Sequence, residues 1–440
     1  NEKASAFIDG YSSDTDAGKK IDVDGDVNVD TIDNVKSMAI GGGFAIMKSN
    51  ALAGAVSNNN VSRRVGSYII DSNVASGGKV GVNAYAESLL TGIAAGLDAG
   101  SGQSGSTLSF AGSATANVLT ERVTAAVTDD SVIVVDGDDV YDLCKDGGCS
   151  SGDADTLTVR AHGAQTILGV DGAFNVSMSS GSKAGVGAAV DVADIDTAYK
   201  AFIRGSDVVN NSGDSFVSAE LEQDVYGITA SLAAQSATFT ASGSSNDYDI
   251  DNVVEAWVDN TDLDLEGTLS INAVSDSDGL YFGGAGAVAK TFGLGLSNIL
   301  LMKEENVRAF LGRSKTDSLI STGGLAVNAG SDSDDVAFTF TLGIASSGAG
   351  AAITAPVAII AENVNASIAD DVKLATKGRN ASIDTNDDGV PDTNVVIPAY
   401  AGVTAQNDLS LASVGLVAAA GSRAGIGIVA GVADIDKHTS

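Results

Sequence analysis

Residues 384–392 read DTNDDGVPD, with Asp384, Asn386, Asp388 and Asp392 at positions 1, 3, 5 and 9, Gly389 at position 6 and the Val390 carbonyl at position 7. Calcium takes about six to eight oxygen ligands, and alternate acidic side chains with a glycine at the sharp turn wrap a chain around one ion. Position 12 is Val395 rather than a bidentate glutamate, so water or an outside ligand has to complete the shell. The competing reading is a solvated Asp/Asn turn. Two further stretches carry weaker forms of the pattern. In IDVDGDVNVD, Asp22, Asp24, Asp26 and Asp30 share one face of a strand, which suits calcium or a plain solvent face. In VVDGDDVYDLCKDGGC, Asp136, Asp138, Asp139 and Asp142 precede Cys144 and Cys149, the only two cysteines of the chain. That pair reads as a disulfide closing a small loop, which places the chain in an oxidising, extracellular compartment. A redox or metal pair is the alternative, but zinc wants about four ligands and only His162 stands in this region.

Other chemistry is scarce. The two histidines, His162 and His438, are far apart in sequence, so a Ser-His-Asp or Cys-His engine has few parts. Metalloprotease, P-loop and dinucleotide fingerprints are absent; GGAGAVAK lacks the spacing. Clustered carboxylates of the kind used by polysaccharide-cleaving β-helices keep a glycan-acting enzyme as a minor alternative. The 57 acidic against 24 basic residues, net −33, repel nucleic acid and anionic membranes and favour divalent cations. No window is apolar enough for a membrane span; the nearest, VGLVAAAGSRAGIGIVAGV, contains Arg423. NEKASAFIDG reads as mid-domain sequence rather than a signal peptide.

The elements that must position these residues are repetitive. Gly accounts for 53 residues and aromatics for only 5%, too few large side chains for a broad spherical core, while 44% apolar content and three prolines argue against disorder. One phrase recurs as Ala6-Phe7-Ile8, Ser67-Tyr68-Ile69, Ala125-Ala126-Val127, Ala201-Phe202-Ile203, Ala256-Trp257-Val258, Ala309-Phe310-Leu311 and Ala366-Ser367-Ile368, at intervals of 61, 58, 76, 55, 53 and 57 residues. A second follows with period-two alternation, at Val27–Thr31, Val80–Ala84, Leu157–Ala161, Ser215–Ala219, Leu269–Ala273, Leu325–Ala329 and Val395–Ala399. Seven units result: about 4–65, 66–123, 124–199, 200–254, 255–307, 308–364 and 365–440, the last running into the start of another. The expected fold is an all-β parallel β-solenoid (β-helix), one continuous array of two to three coils per unit, forming a rod about 2–3 nm wide with coils about 4.8 Å apart. A string of small β-sandwich modules is the alternative. The spacing between the two phrases is expanded in units one, three and seven, always in aspartate-rich stretches, which predicts loops on one side of the rod.

Residues 181–196, GSKAGVGAAVDVADID, recur at 421–436 as GSRAGIGIVAGVADID, ten of sixteen positions identical. The pattern GxGAAVxVxxIxxxxxAFIxGSxVxxxxxxxVxA, clearest at 185–219, resembles the repeats of giant secreted bacterial exoproteins, the fusobacterial leukotoxin and related filamentous adhesins. The likeness covers nearly all 440 residues as pattern, through Gly/Ala/Val strings of low specificity. It implies a β-solenoid shaft, export through an outer membrane and a role in adhesion, and it transfers no catalytic residue. DTNDDGVPD in turn resembles thrombospondin type 3 and dockerin-type calcium loops. The expectation is therefore a non-catalytic, calcium-stabilised shaft of a secreted cell-surface adhesin. Its partners would be further coils or copies end to end and a ligand on a host or neighbouring cell, without nucleic acid or a membrane span. The alternative is the subunit of a self-assembling extracellular filament.

Overall fold

The computed structural model describes residues 2–11, 21–47, 50–100, 107–135, 155–177, 182–211, 213–312, 319–370, 372–383, 393–397 and 399–440. They form an all-β parallel solenoid. A front sheet stacks Val27–Met47, Val80–Gly100, Asp155–Ser177, Asp214–Gln235, Thr268–Ala289, Gly324–Ala345 and Ala401–Gly421. A back sheet stacks Ala51–Ser76, Thr107–Thr128, Ser182–Arg204, Phe239–Asp259, Phe292–Leu311 and Ala349–Ile368, with Glu2–Tyr11 at one end and Ala424–Val429 and Val432–Thr439 at the other. Between them runs a narrow ribbon that includes Val132–Val135, Asp207–Asn210, Asp262–Leu265, Leu319–Thr322 and Lys373–Thr376. Each repeat is a single coil rather than two or three. Its long strands of 20 to 26 residues run about 70 Å at roughly 3.3 Å per residue, while seven coils rise only about 30 Å. The molecule is a broad lath, not the narrow rod expected from the repeat length.

The first recurring phrase stacks in register through every coil: Phe7 on Tyr68, then Ala126, Phe202, Trp257, Phe310 and Ser367. These side chains point outward, and Phe202–Trp257 and Trp257–Phe310 stack at 4.2 and 5.6 Å, so each covers the next. Flanking alanines and aliphatics (Ala201, Ile203, Ala256, Val258) point inward and pack with Val82, Val159, Val217, Ile271 and Val327 of the front sheet. The second phrase also stacks, Thr31 through Ala84, Ala161, Ala219, Ala273 and Ala329. Its seventh member is Ala405, however, not Ala399. Val395–Ile397 belong instead to an antiparallel pair, Arg379–Ile383 with Thr393–Ile397, inserted after the ribbon. The turn from back sheet to ribbon uses a left-handed residue two positions after the inward aliphatic, as at Gly10, Asp71, Asp129, Gly205 and Asn260. Only Gly, Asp or Asn readily adopts that backbone.

The lath tapers. Where it holds three walls, its interior is Val, Ile, Leu and Ala; toward the far edge the front and back sheets close until backbone meets backbone. A Cβ on Gly41 would lie 2.6 Å from the Val56 carbonyl oxygen, one on Gly295 2.5 Å from that of Leu342, and one on Gly343 would overlap Ala351 O. The glycine-rich third of each repeat is thus a thin two-layer wall.

Between the two zones the interior is polar. Arg63 is buried and pairs through Nε with Glu121, while Nη2 donates to Ser88 Oγ at 2.9 Å and Nη1 to Asp33 O at 2.7 Å. Tyr199 donates to Glu121, Gln165 to Tyr199 (2.6 Å), Gln223 to Gln165 (2.7 Å), and Asn252 to Gln223 (3.0 Å), a ladder that climbs from coil to coil. Nearer the thin edge, Asp171 and Asp191 are buried, and both carboxyls are lifted to about 7. Burial is the main cause for each. Tyr248 donates to Asp191 and partly offsets its shift, whereas Asp171 adds to it; the Ser113 and Thr115 hydroxyls offset part of the Asp171 shift without reaching hydrogen-bond geometry. An unfolded aspartate titrates near about 3.9, so the native state holds these protons through a range in which the unfolded chain has released them. Their stabilisation is present in acid and is lost as pH rises from about 4 to about 7. Thermal melts from pH 4 to 8 should show Tm falling over that window, and the Asp171→Asn/Asp191→Asn variant should show a shallower fall and a higher Tm at pH 8. An unchanged slope in the variant would refute the assignment.

Candidate functional site: the acidic face and the open edges

The sharpest calcium candidate, Asp384, Asn386, Asp388, Val390 and Asp392, lies outside the described residues, as do Asp136, Asp138, Asp142, Cys144 and Cys149. The described flanks show where these expansions enter the fold: 12–20 between the back sheet and ribbon, 136–154 between ribbon and front sheet, and 384–392 between the two inserted antiparallel strands. Asp22, Asp24 and Asp26 are described and exposed. Asp22 sits on the ribbon strand Ile21–Val23, Asp24 lends its backbone carbonyl to the approach of Gly77, and Asp26 Oδ1 accepts the Lys79 backbone N–H at 2.7 Å. Among the described residues, no group of three or more His, Cys, Asp or Glu side chains is arranged to hold a metal ion.

In-register stacking brings a different set of acids together. On the outer face of the front sheet, Glu222, Asp276, Asp332 and Asp408 form one column, and Asp224, Asp278 and Asp334 a second beside it. Successive members are about 4.8 Å apart, the inter-strand spacing. The carboxyls of Asp224 and Asp276 are raised first by burial against their neighbours, then by the like charges of the column, including Asp278 for both. The back sheet carries a shorter column, Asp196, Asp251 and Glu304, in which Arg122 pairs with Asp196 at 2.6 Å. At the ribbon corner, Asp207 stacks on Asp262 beside Asp130. Single-strand reasoning missed these columns because their members lie 54 to 76 residues apart; the recurring pair of acids at one offset from the alternating phrase was the available signal. Such columns concentrate cations by field rather than by a closed coordination cage.

Toward the thin edge both outer faces turn apolar. The front presents Leu280, Val336, Phe340 and Leu416, with Phe282 and Phe338 stacked at 5.5 Å; the back presents Leu296, Ile359 and Ile426, with Phe239 and Phe292 stacked at 5.8 Å. All-parallel sheets ordinarily have both faces covered. At the first coil, Ile32, Met38, Ile40 and Phe44 stand 64–70% exposed on the outermost front strand, and each end of the stack offers a row of peptide groups along a strand of about 70 Å.

No helix among the described residues is long and apolar enough to cross a membrane, which says nothing of strands. Compared with protein-family models, curated proteins and solved structures, the chain matches none.

Proposed function

We propose that this chain is a length of non-catalytic shaft in a secreted, cell-surface adhesin, stiffened by divalent cations on its acidic face. The observation that carries the reading is the constancy of the cross-section. Every coil places the same columns over one another, so both ends of the stack present strands able to pair with a further coil of the same design. A solenoid of this kind transmits tension along a hydrogen-bonded axis, and its stability is a sum of nearest-neighbour interfaces. Calcium enters through the charge columns and the 384–392 loop: neutralising stacked carboxylates removes repulsion that every added coil would otherwise increase.

The same edges favour a second reading, the subunit of a self-assembling extracellular filament. Electron microscopy of the purified chain at increasing concentration separates the two. The filament reading expects laths about 70 Å across that lengthen with concentration, and the shaft reading expects particles of fixed length. Compact globules that melt independently would end both. For the calcium component, titration with millimolar calcium should release or absorb heat and raise Tm, by about 1.4 kcal/mol of stability at ten times Kd. No heat and no shift would remove calcium from the proposal.

A further inference from the structure

The column of inward residues through Val61, Leu119, Ile195, Ile250, Ile360 and Ile435 is aliphatic in every coil but one, where it holds Lys303. The facing column on the front sheet, Ser37, Leu90, Ile167, Val225, Gly279, Asp335 and Leu411, carries its one charge at Asp335. The two exceptions meet. Lys303 Nζ lies 3.3 Å from Asp335 Oδ2 and donates to Ser333 Oγ at 2.6 Å and Ser277 O at 3.3 Å, with both side chains buried. Glu305, two residues along the same inward face, places Oε2 3.9 Å from Nζ. Glu362 stacks directly on Glu305 in the next coil.

This cluster is over-supplied with acid. It holds three buried carboxyls and one amine, and both oxygens of Glu305, both of Glu362 and Asp335 Oδ1 accept no hydrogen bond. Burial works to lower the Lys303 pKa, and Asp335, Glu305 and Glu362 outweigh it and hold it above the usual lysine value. The Glu362 carboxyl is raised above the usual carboxylate range by burial and then by the charge of Glu305. The amine therefore has a carboxyl partner at 3.3 Å, a second carboxyl at 3.9 Å, and a site closed to solvent.

We propose that Lys303 and Asp335 become joined by an amide bond between Nζ and Cγ, formed by the folded chain itself. Glu305 takes one proton from the ammonium and passes it to an Asp335 oxygen. The freed amine attacks Cγ, giving a tetrahedral centre. Glu305 then relays a second proton from nitrogen to the departing hydroxyl, which leaves as water. Of the three protons on the ammonium, one remains on the amide and two leave with one carboxyl oxygen; Glu305 ends unchanged, and no oxidant or co-reactant is needed. Nζ lies 3.3 Å from Oδ2 of the carboxyl that it would attack, and fixed placement of two reactants replaces a bimolecular encounter. The product exchanges two buried charges for one neutral amide, removing the desolvation penalty of an ion pair held in the core. Tyr281 Oη and Asp335 Oδ1 both project over Gly279, where a Cβ would crowd them, so the phenol is at hand for charge developing on that oxygen. The bond would tie the back sheet of one coil to the front sheet of the next, a staple across the core.

Intact mass of the purified full chain under denaturing conditions tests this. The expected mass is that of the sequence less one water, and digestion should give one branched peptide joining residues 303 and 335. Glu305→Gln, which keeps both reactants, should restore the full mass. Lys303→Met/Asp335→Leu restores the aliphatic columns, and should fold with the wild-type circular dichroism and carry no water loss. A folded wild-type chain with the full mass and unbranched peptides overturns the proposal and leaves a simple ion pair. Water loss that maps to a succinimide at an Asp-Gly step, such as Asp278-Gly279, overturns it equally.

Discussion

Replacing Arg63 by alanine is expected to destabilise the first coils by about 3–5 kcal/mol, the usual cost of removing one partner from a buried ion pair. Arg63 and Glu121 lie one above the other in adjacent coils, both side chains without solvent exposure. Without the guanidinium, Glu121 keeps donors only from Tyr199, Ser88 and Gln165, and its charge stays in the core. Asp33 O and Ser88 Oγ also lose the donors that Arg63 supplied. A paired Arg63→Met/Glu121→Met variant should recover most of the loss, since well-packed apolar residues replace a buried pair at little net cost. Because a repeat array can melt in segments, hydrogen exchange over 27–135 is the measurement. Protection should collapse there in the single variant and return in the double. Equal protection in wild type and Arg63→Ala would mean that the pair is solvated.

Gly343→Ala should be among the costliest single methyls in the molecule. The added Cβ would overlap the carbonyl oxygen of Ala351, and that obstacle is backbone, itself hydrogen-bonded to the coils on either side. Neither wall can yield by turning a side chain, so the two sheets must part along the thin edge. Overpacking costs about 1–3 kcal/mol even where side chains can adjust, and sometimes more; the upper end applies here. Gly330→Ala, on the open face of the same strand, meets nothing within 4 Å and should be neutral or stabilising by about 0.4–1 kcal/mol through the unfolded state. Thermal melts of the two variants give the comparison. A Gly343→Ala chain as stable as Gly330→Ala would mean that the walls do not touch there.

The parallel array and its column of anchors were legible because stacking gives equivalent residues one environment. Phe202, Trp257 and Phe310 recur for the same reason that they stack. The two GS(K/R)AG phrases lie 240 residues apart because Ala184 and Ala424 occupy one column four coils apart. Parity of position also announced the buried charges: Lys303 and Glu305 are in phase with Leu301 and Val307, and Arg63 with Val65, all facing inward. Charge read as solvent-facing hid that phase.

What the residues determined by themselves was local: which positions alternate, where a left-handed turn is tolerated, and that the same unit recurs. Partnership across space was decided only by the folded chain. Alternation in Val395–Ile397 is as regular as in Val403–Ala405, yet one pairs antiparallel with 379–383 and the other continues the front sheet. Coil length was equally hidden, because a glycine that lets two walls touch has the same letter as a glycine that turns the chain. Only the distance between backbones, which no single strand contains, distinguishes a corner from a contact, and with it a broad single-coil lath from a narrow rod.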